Sequence, residues 1–480
     1  MKNPFLLPFF AVAALFMAVL PGCISDSFTT SPSDLLEFSA DTVRFDTVFT
    51  DLGTPTARLK VYNRAKKSVM ISSVKLADEN SAYSINVDGV SGKDFNDIEI
   101  RGGDSIFVFI ECYIPEQDLN TPQLVEDKLN FVTNGVTQSV LLEAWGQNVA
   151  RLNSLAVTEN MTLTAEIPYV IFNEMTVEPE AVLTVEPGAK LLFHDGASLT
   201  VKGRIEAVGE PGKMIDMRGD RLDNVLPDVG YDILAGQWGG VTIAPESFGN
   251  RLEFVDMRST KTGLQVDSCA DLSRQKLLLV NSWLHNSQKH ALEVNYAWVD
   301  AYGCVFSEAG ASPVYLAGGQ HEFLQCTFSN YYLYVYPSEP LLMLEHCMPE
   351  DLYTDPSQPL MTASFKNCIL YGLSSDIDPG DLTGSFVTLE YCSLKSPGSD
   401  DANFINCFWD TDPLFLTIRA DYYFNYHVAD DSPVIGLGNP SYLNELSLID
   451  MDGYNRLTDS PSGTPTLGAY ALPETPLLPE

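Results

Sequence analysis

Positive charge is scarce in this chain. Twenty-eight lysines and arginines stand against 64 acids, a formal charge of −36 over 480 residues. A phosphate backbone is held by a basic footprint, so the balance argues against nucleic acid as a partner. It also disfavours an anionic polysaccharide, unless a local basic groove overrides the mean field. Histidine is missing before residue 194, and neither Cys-x-x-Cys nor a Cys/His cluster occurs, so the spacing of a zinc site is lacking. No metal and no cofactor is expected. Charged residues make up only 19%, which suits a folded rather than a disordered chain. What is abundant is turn chemistry: 33 Gly and 29 Pro read as a turn-rich β protein. The length exceeds one ordinary core and calls for two domains or a repeat array.

Lys2 precedes an apolar run, FLLPFFAVAALFMAVL, that leads into Leu20-Pro21-Gly22-Cys23. A short charged start, an apolar centre and a small residue before the cut describe a signal peptide over 1–22. The Leu-x-Gly-Cys ending resembles the bacterial lipobox, which implies that Cys23 becomes the lipidated first residue; Pro21 departs from the usual residue there. The run is almost long enough to span a bilayer, but Pro8 and the immediate Gly-Cys favour the lipoprotein over an uncleaved anchor. Residues 23–36 are small and polar, as a flexible tether is. The expected address is the cell envelope, as an outer-membrane lipoprotein facing either the surface or the periplasm. The membrane is then a partner through the lipid.

Between residues 37 and 150 the apolar period is two. Segments such as ARLKVYNR, SVMISSVKL and SIFVFIECYI alternate between turn signals, and Asn134-Gly135 separates two apolar runs as a hairpin turn does. Seven or so short strands without a helical period predict a β-sandwich. The order LKVYNRAKKSVMISSVKL, IEIRGGDSIFVFIECYIP, VLLEAWGQN resembles the immunoglobulin-like ASH/hydin module, which implies a spacer or binding platform without a catalytic set. Cys112 is expected as a buried free thiol.

From about residue 151 to 410 the pattern changes to strands of three to five residues broken by Pro-Gly, Asp-Gly and Lys-Gly. The series EPGAKLLF, GRIEAVGEPGKMIDM, GQWGGVTI closely resembles the opening coils of right-handed parallel β-helices in bacterial surface proteins. A slot then recurs as Ser282, Cys304, Cys326, Cys347, Cys368, Cys392 and Cys407. Spacing near 22 residues is the mark of a solenoid, with three short strands to a coil. Counterparts one coil apart then stack at about 4.8 Å. The slot belongs to the inward face of an apolar strand, so the cysteines are read as a core ladder. Disulfides are the rival reading, but parallel Cβ vectors on stacked neighbours strain such a bridge. In 411–480, Asp412–Phe415, Ser432–Gly438, Asp450–Arg456 and Gly468–Tyr470 together resemble a recurrent tail of bacterial β-helix proteins. It is expected to cap the exposed solenoid end. Asp450 and Asp452 fall short of a calcium loop.

No catalytic residue is assigned. His194, His285, His290, His321, His346 and His427 share no slot, and His285 and His290 read as belonging to a solvated turn. Glu308, Glu322, Glu345 and Glu390 suggest an outward acid ladder, which a merely soluble solenoid would also carry. Trp283, Trp298, Tyr331, Tyr332, Tyr334 and Tyr336 are the candidate ligand-contact aromatics, with alternation allowing half of the YYLYVY tyrosines outward. The reading is all-β: an immunoglobulin-like sandwich, then a right-handed parallel β-helix of about 22 residues per coil. Its expected role is a non-catalytic binding or structural scaffold, adhesin-like or touching a glycan or surface protein. Alternatives are a polysaccharide lyase or hydrolase and an architectural envelope spacer. Oligomeric state is left open.

Overall fold

The computed structural model describes residues 27–117, 120–226, 229–345, 359–419, 422–460 and 462–472. The signal segment 1–22, the lipidation position Cys23, His346 and Cys347 lie outside them. The chain divides into two compact units, 1–147 and 148–480.

In the first unit, two sheets place their inward residues in one apolar cluster. One sheet orders Leu36–Phe38, Ala57–Asn63, Ser105–Cys112, Tyr83–Val87 and Val90–Gly92; the other runs Thr42–Phe49, Val136–Gln147, Gln123–Thr133, Val69–Leu76 and Asp94–Phe95. Leu59, Val61, Val74, Val108, Phe131 and Leu142 are fully buried between turns, as period two requires. Asn134 and Gly135 both take positive φ, 53° and 80°, closing the hairpin between Thr133 and Val136. Among the described strands pairing is antiparallel except that Thr42–Phe49 runs parallel to Val136–Gln147; an isolated parallel bridge also joins Phe28 to Ser68. Residues 27–36 do not behave as the free tether their composition predicts. Thr29 N–H donates to Ser68 O, Asn134 Nδ2 to Ser31 O, and the Gln138 amide brackets both backbone groups of Leu36. These hydrogen bonds outweigh the freedom of a small polar sequence.

Among the described residues the second unit is wound from three parallel sheets of ten, nine and ten strands. Along each sheet a strand pairs with the one that follows after a full circuit, an architecture consistent with a β-helix. The first sheet includes Lys190–Phe193, Ile215–Gly219, Val255–Arg258, Trp283–His285, Val305–Phe306, Thr327–Phe328, Ile369–Leu370 and Ser393–Leu394. In the Gly-Gln-Trp-Gly-Gly segment Trp238 is buried against Phe193, rings stacked at 4.0 Å. Gly240, at φ 114°, lies so close to the next coil that a Cβ would sit 2.3 Å from Gly263 O. Only glycine fits there.

The cysteine slot follows a corner. Asn281, Gly303, Gln325, Asn367, Tyr391 and Asn406, each one residue before it, have φ between 44° and 66°. Asn and Gly tolerate this left-handed region best, hence the recurring Asn-Cys. Beyond the corner the slot turns inward: Ser282, Cys304, Cys326, Cys368 and Cys392 are fully buried and Cys407, on the last coil, half-buried. The thiols of Cys368, Cys392 and Cys407 reach Phe323 O, Phe365 O and Leu389 O in the third sheet at 3.3–3.5 Å. All seven described cysteines are free.

Two expectations need correction. The strand after Cys326 pairs directly with the strand after Cys368, Thr327 opposite Ile369, so the described ladder passes from one to the other with no coil between, and Cys347 lies outside the described residues. Secondly, the tail lies along the outside of the first sheet rather than over its end. Asn281 Nδ2 donates to Ile449 O, Gln325 Nε2 to Thr466 O and Asn367 Nδ2 to Asn439 O, three corners of the same series. Val305 and Ile369 pack beneath it with Met451, Tyr470 and Val434. Covering both faces of this sheet explains why Cys-Val-Phe, Cys-Thr-Phe and Cys-Ile-Leu do not alternate. The Asp-x-Asp-Gly-x-x-Arg motif is a lock. Asp450 accepts from Tyr454 and Ala471 N–H, and buried Arg456 donates to Ser447, Gly468 and Ala469 carbonyls. Among the described residues no group of three or more His, Cys, Asp or Glu is placed to hold a metal.

Candidate functional site

On the first sheet, ahead of where the tail covers it, outward side chains form a charged floor. Ile215–Gly219 and Val255–Arg258 lie in register, Asp216 opposite Asp256, with Met217 and Met257 turned inward and buried. Strand alternation therefore sends Asp216, Arg218, Asp256 and Arg258 outward together. On the next coil Trp283 pairs with Asp256 and His285 with Arg258.

A turn at Tyr231–Ile233 brings Asp232 over this floor. Its backbone is pinned: Ser259 Oγ and Asn286 Nδ2 donate to Asp232 O, both at 2.6 Å, and Asn286 also to Ile233 O at 2.8 Å. Arg258 is the hub. Its Nη1 lies 2.7 Å from both Asp216 Oδ1 and Asp256 Oδ2, and its Nε 3.0 Å from Asp232 Oδ2. Arg218 Nη1 adds a contact to Asp232 at 3.1 Å. His285 Nε2 stands 2.9 Å from Asp256 Oδ1, and its ring stacks on Trp283 at 4.1 Å. Burial raises the Asp256 carboxyl, but Arg258 first and His285 next outweigh it and hold that carboxyl well below the usual range.

Above the floor is a cleft of about 390 Å³. Trp283, Tyr332, Leu333, Tyr422, Tyr423 and Phe424 wall it; Asp232, Asp256, Arg258, His285 and Glu308 supply its polar lining. Glu308 is buried at a corner of φ 41°, and burial holds its carboxyl above the usual range. Ser307 Oγ donates to its Oε2 at 2.6 Å, and the Tyr426 hydroxyl donates to its Oε1. A second depression of about 320 Å³ lies on the other side of the same turn, with His194, Asp220, Arg221, Tyr231 and Gln237 in its lining.

The structure gathers some of the sequence candidates and disperses others. Residues 331–336 form an irregular segment, not an alternating strand. Tyr331 and Tyr332 are both buried, while Tyr334 and Tyr336 are exposed at 46% and 68%. Arg419 fixes the bend by donating to the carbonyls of Tyr331 and Tyr332, and Tyr334 OH donates to Ile233 O at 2.8 Å. Trp283 joins the cleft. Trp298 does not: it lies on the third sheet, where its indole N–H donates to Asp300 at 2.9 Å. His285 lies in strand Trp283–His285 rather than a solvated turn, and His290 stacks on Tyr315 while hydrogen-bonding Ser312 O.

The four glutamates are no ladder. Glu308 is in the cleft, Glu322 and Glu390 on the third sheet and Glu345 on the second. Leu344-Glu345 and Leu389-Glu390 open look-alike motifs in sequence yet belong to different sheets. The Asp216–Asp232–Asp256–Arg258 cluster was missed, although two Asp-Met-Arg triplets, 216–218 and 256–258, carried the signal. Their forty-residue separation hides that they are neighbours.

No family model matches the chain, and no curated protein does. Solved structures resemble parts of it, these two among them. One is a protein of unknown function from Porphyromonas gingivalis W83, 12% identical, TM-score 0.19, covering 27% of this chain and 58% of that one. The other is the periplasmic chaperone SfaE, 14% identical, TM-score 0.17, covering 24% and 57%. The chain thus matches little more than half the length of either, and likeness at this level carries no argument about fold or function.

Proposed function

We propose that this chain is an envelope-anchored lipoprotein that presents the first-sheet cleft as a non-catalytic, glycan-contacting surface. In this reading Cys23 carries the lipid, an immunoglobulin-like sandwich stands behind it, and a right-handed parallel β-helix displays the site. The observation that carries it is the wall of Trp283, Tyr332, Tyr422 and Tyr423 around a fixed polar floor. Aromatic rings stack on the apolar faces of sugars while polar groups receive their hydroxyls. Tyr422 and Tyr423 are 47% and 61% exposed, a surface without a partner inside the described chain to account for it. The floor is rigid because it is sheet and because Arg258 and the pinned turn fix its charges.

The test is binding of the full chain to arrayed glycans, with release of reducing ends followed in parallel. Retention without turnover, lost in Tyr423→Ala, supports the reading; turnover replaces it with the enzymatic alternative. That alternative draws on Glu308, a carboxyl burial keeps above its usual range, in the same cleft as the Asp256–His285 pair. Labelled fatty-acid incorporation, abolished by Cys23→Ser, tests the anchor separately.

A further inference from the structure

Charge around the cleft narrows the ligand class, and the argument rests on the glycan reading above. Each arginine lining the two depressions is already engaged. Arg258 has three carboxylate partners, Asp216, Asp232 and Asp256, and Arg221 is clamped by Asp223, with Nε 2.7 Å from Oδ1. Arg218, beneath the turn, is held by Asp232. Lys261 reaches Asp195 at 3.4 Å, and His194 Nδ1 stands 2.7 Å from Asp220. Among the described residues that line the two depressions, no arginine or lysine is left without a carboxylate partner to receive a sugar carboxylate or sulfate. Acids outnumber arginines and lysines on this face, so an approaching anion meets repulsion as well as the loss of existing pairs. Carboxylates have lone pairs beyond those the guanidinium takes, and these accept sugar hydroxyls.

We infer that the cleft selects uncharged, hydroxyl-rich oligosaccharides and rejects uronate-containing or sulfated ones, with Asp232 as the residue that enforces the exclusion. Asp232 is suited to this because it alone bridges Arg218 and Arg258 from a turn that is not part of the sheet. Neutralising it leaves Arg218 without its carboxylate and Arg258 with two of its three, while the parallel strands beneath keep their register.

The experiment is titration calorimetry of the full chain, in a detergent without a sugar headgroup. The probes are neutral β-glucan and α-mannan oligosaccharides on one side and oligogalacturonate on the other. The expected result is binding of a neutral probe at least tenfold tighter than oligogalacturonate, changing less than twofold between 20 and 200 mM salt. Asp232→Asn should raise oligogalacturonate affinity at least fivefold, in a salt-sensitive manner. Oligogalacturonate binding at or above the neutral probes in the native chain would overturn the inference and leave the glycan reading standing. Binding of neither class, with the chain folded by circular dichroism, would overturn both. An Asp232→Asn chain that gains nothing while neutral selectivity holds would remove Asp232 from the assignment; Arg258→Gln, expected to gain nothing either way, controls for general loosening.

Discussion

His285 Nε2 stands 2.9 Å from Asp256 Oδ1 although 29 residues separate them in sequence. The contact exists because their strands are neighbours in the first sheet, and it ties the aromatic wall, through the Trp283–His285 stack, to the Arg258 hub. Replacing Asp256 by Asn removes one of Arg258's three carboxylates and the imidazole partner together. About a quarter of the side chain still meets water, so the loss should be at the low end for such pairs, about 1–2 kcal/mol. A lower urea midpoint at unchanged slope checks it.

The same carboxylate sets an acid limit. Its folded pKa is depressed, so its stabilisation is fully present above the unfolded carboxyl value and fades as pH falls below about 4. Acid unfolding followed by tryptophan fluorescence should shift to higher pH in Asp256→Asn. An unchanged acid midpoint would contradict the assignment.

Asp300 works in the opposite direction. Burial dominates and pushes its carboxyl up to about 6, against the hydrogen bond from Trp298 and with the repulsion of Glu322. A raised acid binds its proton more tightly when folded, so stability should fall as pH rises from about 4 to about 6 and level off above. Two units correspond to about 2–3 kcal/mol. The pH slope in that window should flatten in Asp300→Asn, measured by urea unfolding at half-unit steps.

Burial pushes the thiols of Cys304 and Cys368 well up and leaves them in an apolar slot. Neither should react with a thiol reagent in the native chain, and both should react in denaturant. Cys368→Ala opens a small void between Cys326 and Cys392 and should cost about 1–2 kcal/mol in a urea titration.

Arg456 makes its three carbonyl contacts from full burial. Lysine lacks the fork that reaches Ser447, Gly468 and Ala469 at once, so Arg456→Lys should cost about 3 kcal/mol. Hydrogen exchange should quicken at the amides of 447–471 and not in the first sheet's opening strands.

Much of the fold was legible because it is local. Period two before residue 147, the Asn134-Gly135 turn and the short strands after 150 each follow from backbone geometry within a few residues. The Asn-Cys recurrence was legible too, although its physical origin, a left-handed corner ahead of an inward slot, appears only with φ angles. Legibility failed where insertions intervened. Cys347 matched the spacing and Leu-Glu-His-Cys matched the motif, yet the coil from Cys326 closes directly on Cys368. The tyrosine run read as a strand because alternation is blind to the Arg419 contacts that bend it.

Composition and periodicity alone determined that this is an acidic, turn-rich, all-β chain with a repeating parallel region and a small-residue core slot. Which side chains meet was decided by the tertiary structure. Arg258 gathers Asp216 from 42 residues before it and Asp232 from 26. Strand pairing makes neighbours of residues one coil apart, whatever the number of residues in the loops between them. Loop length leaves no trace in the local pattern, so the charged floor and the cleft above it exist only once the coils are stacked.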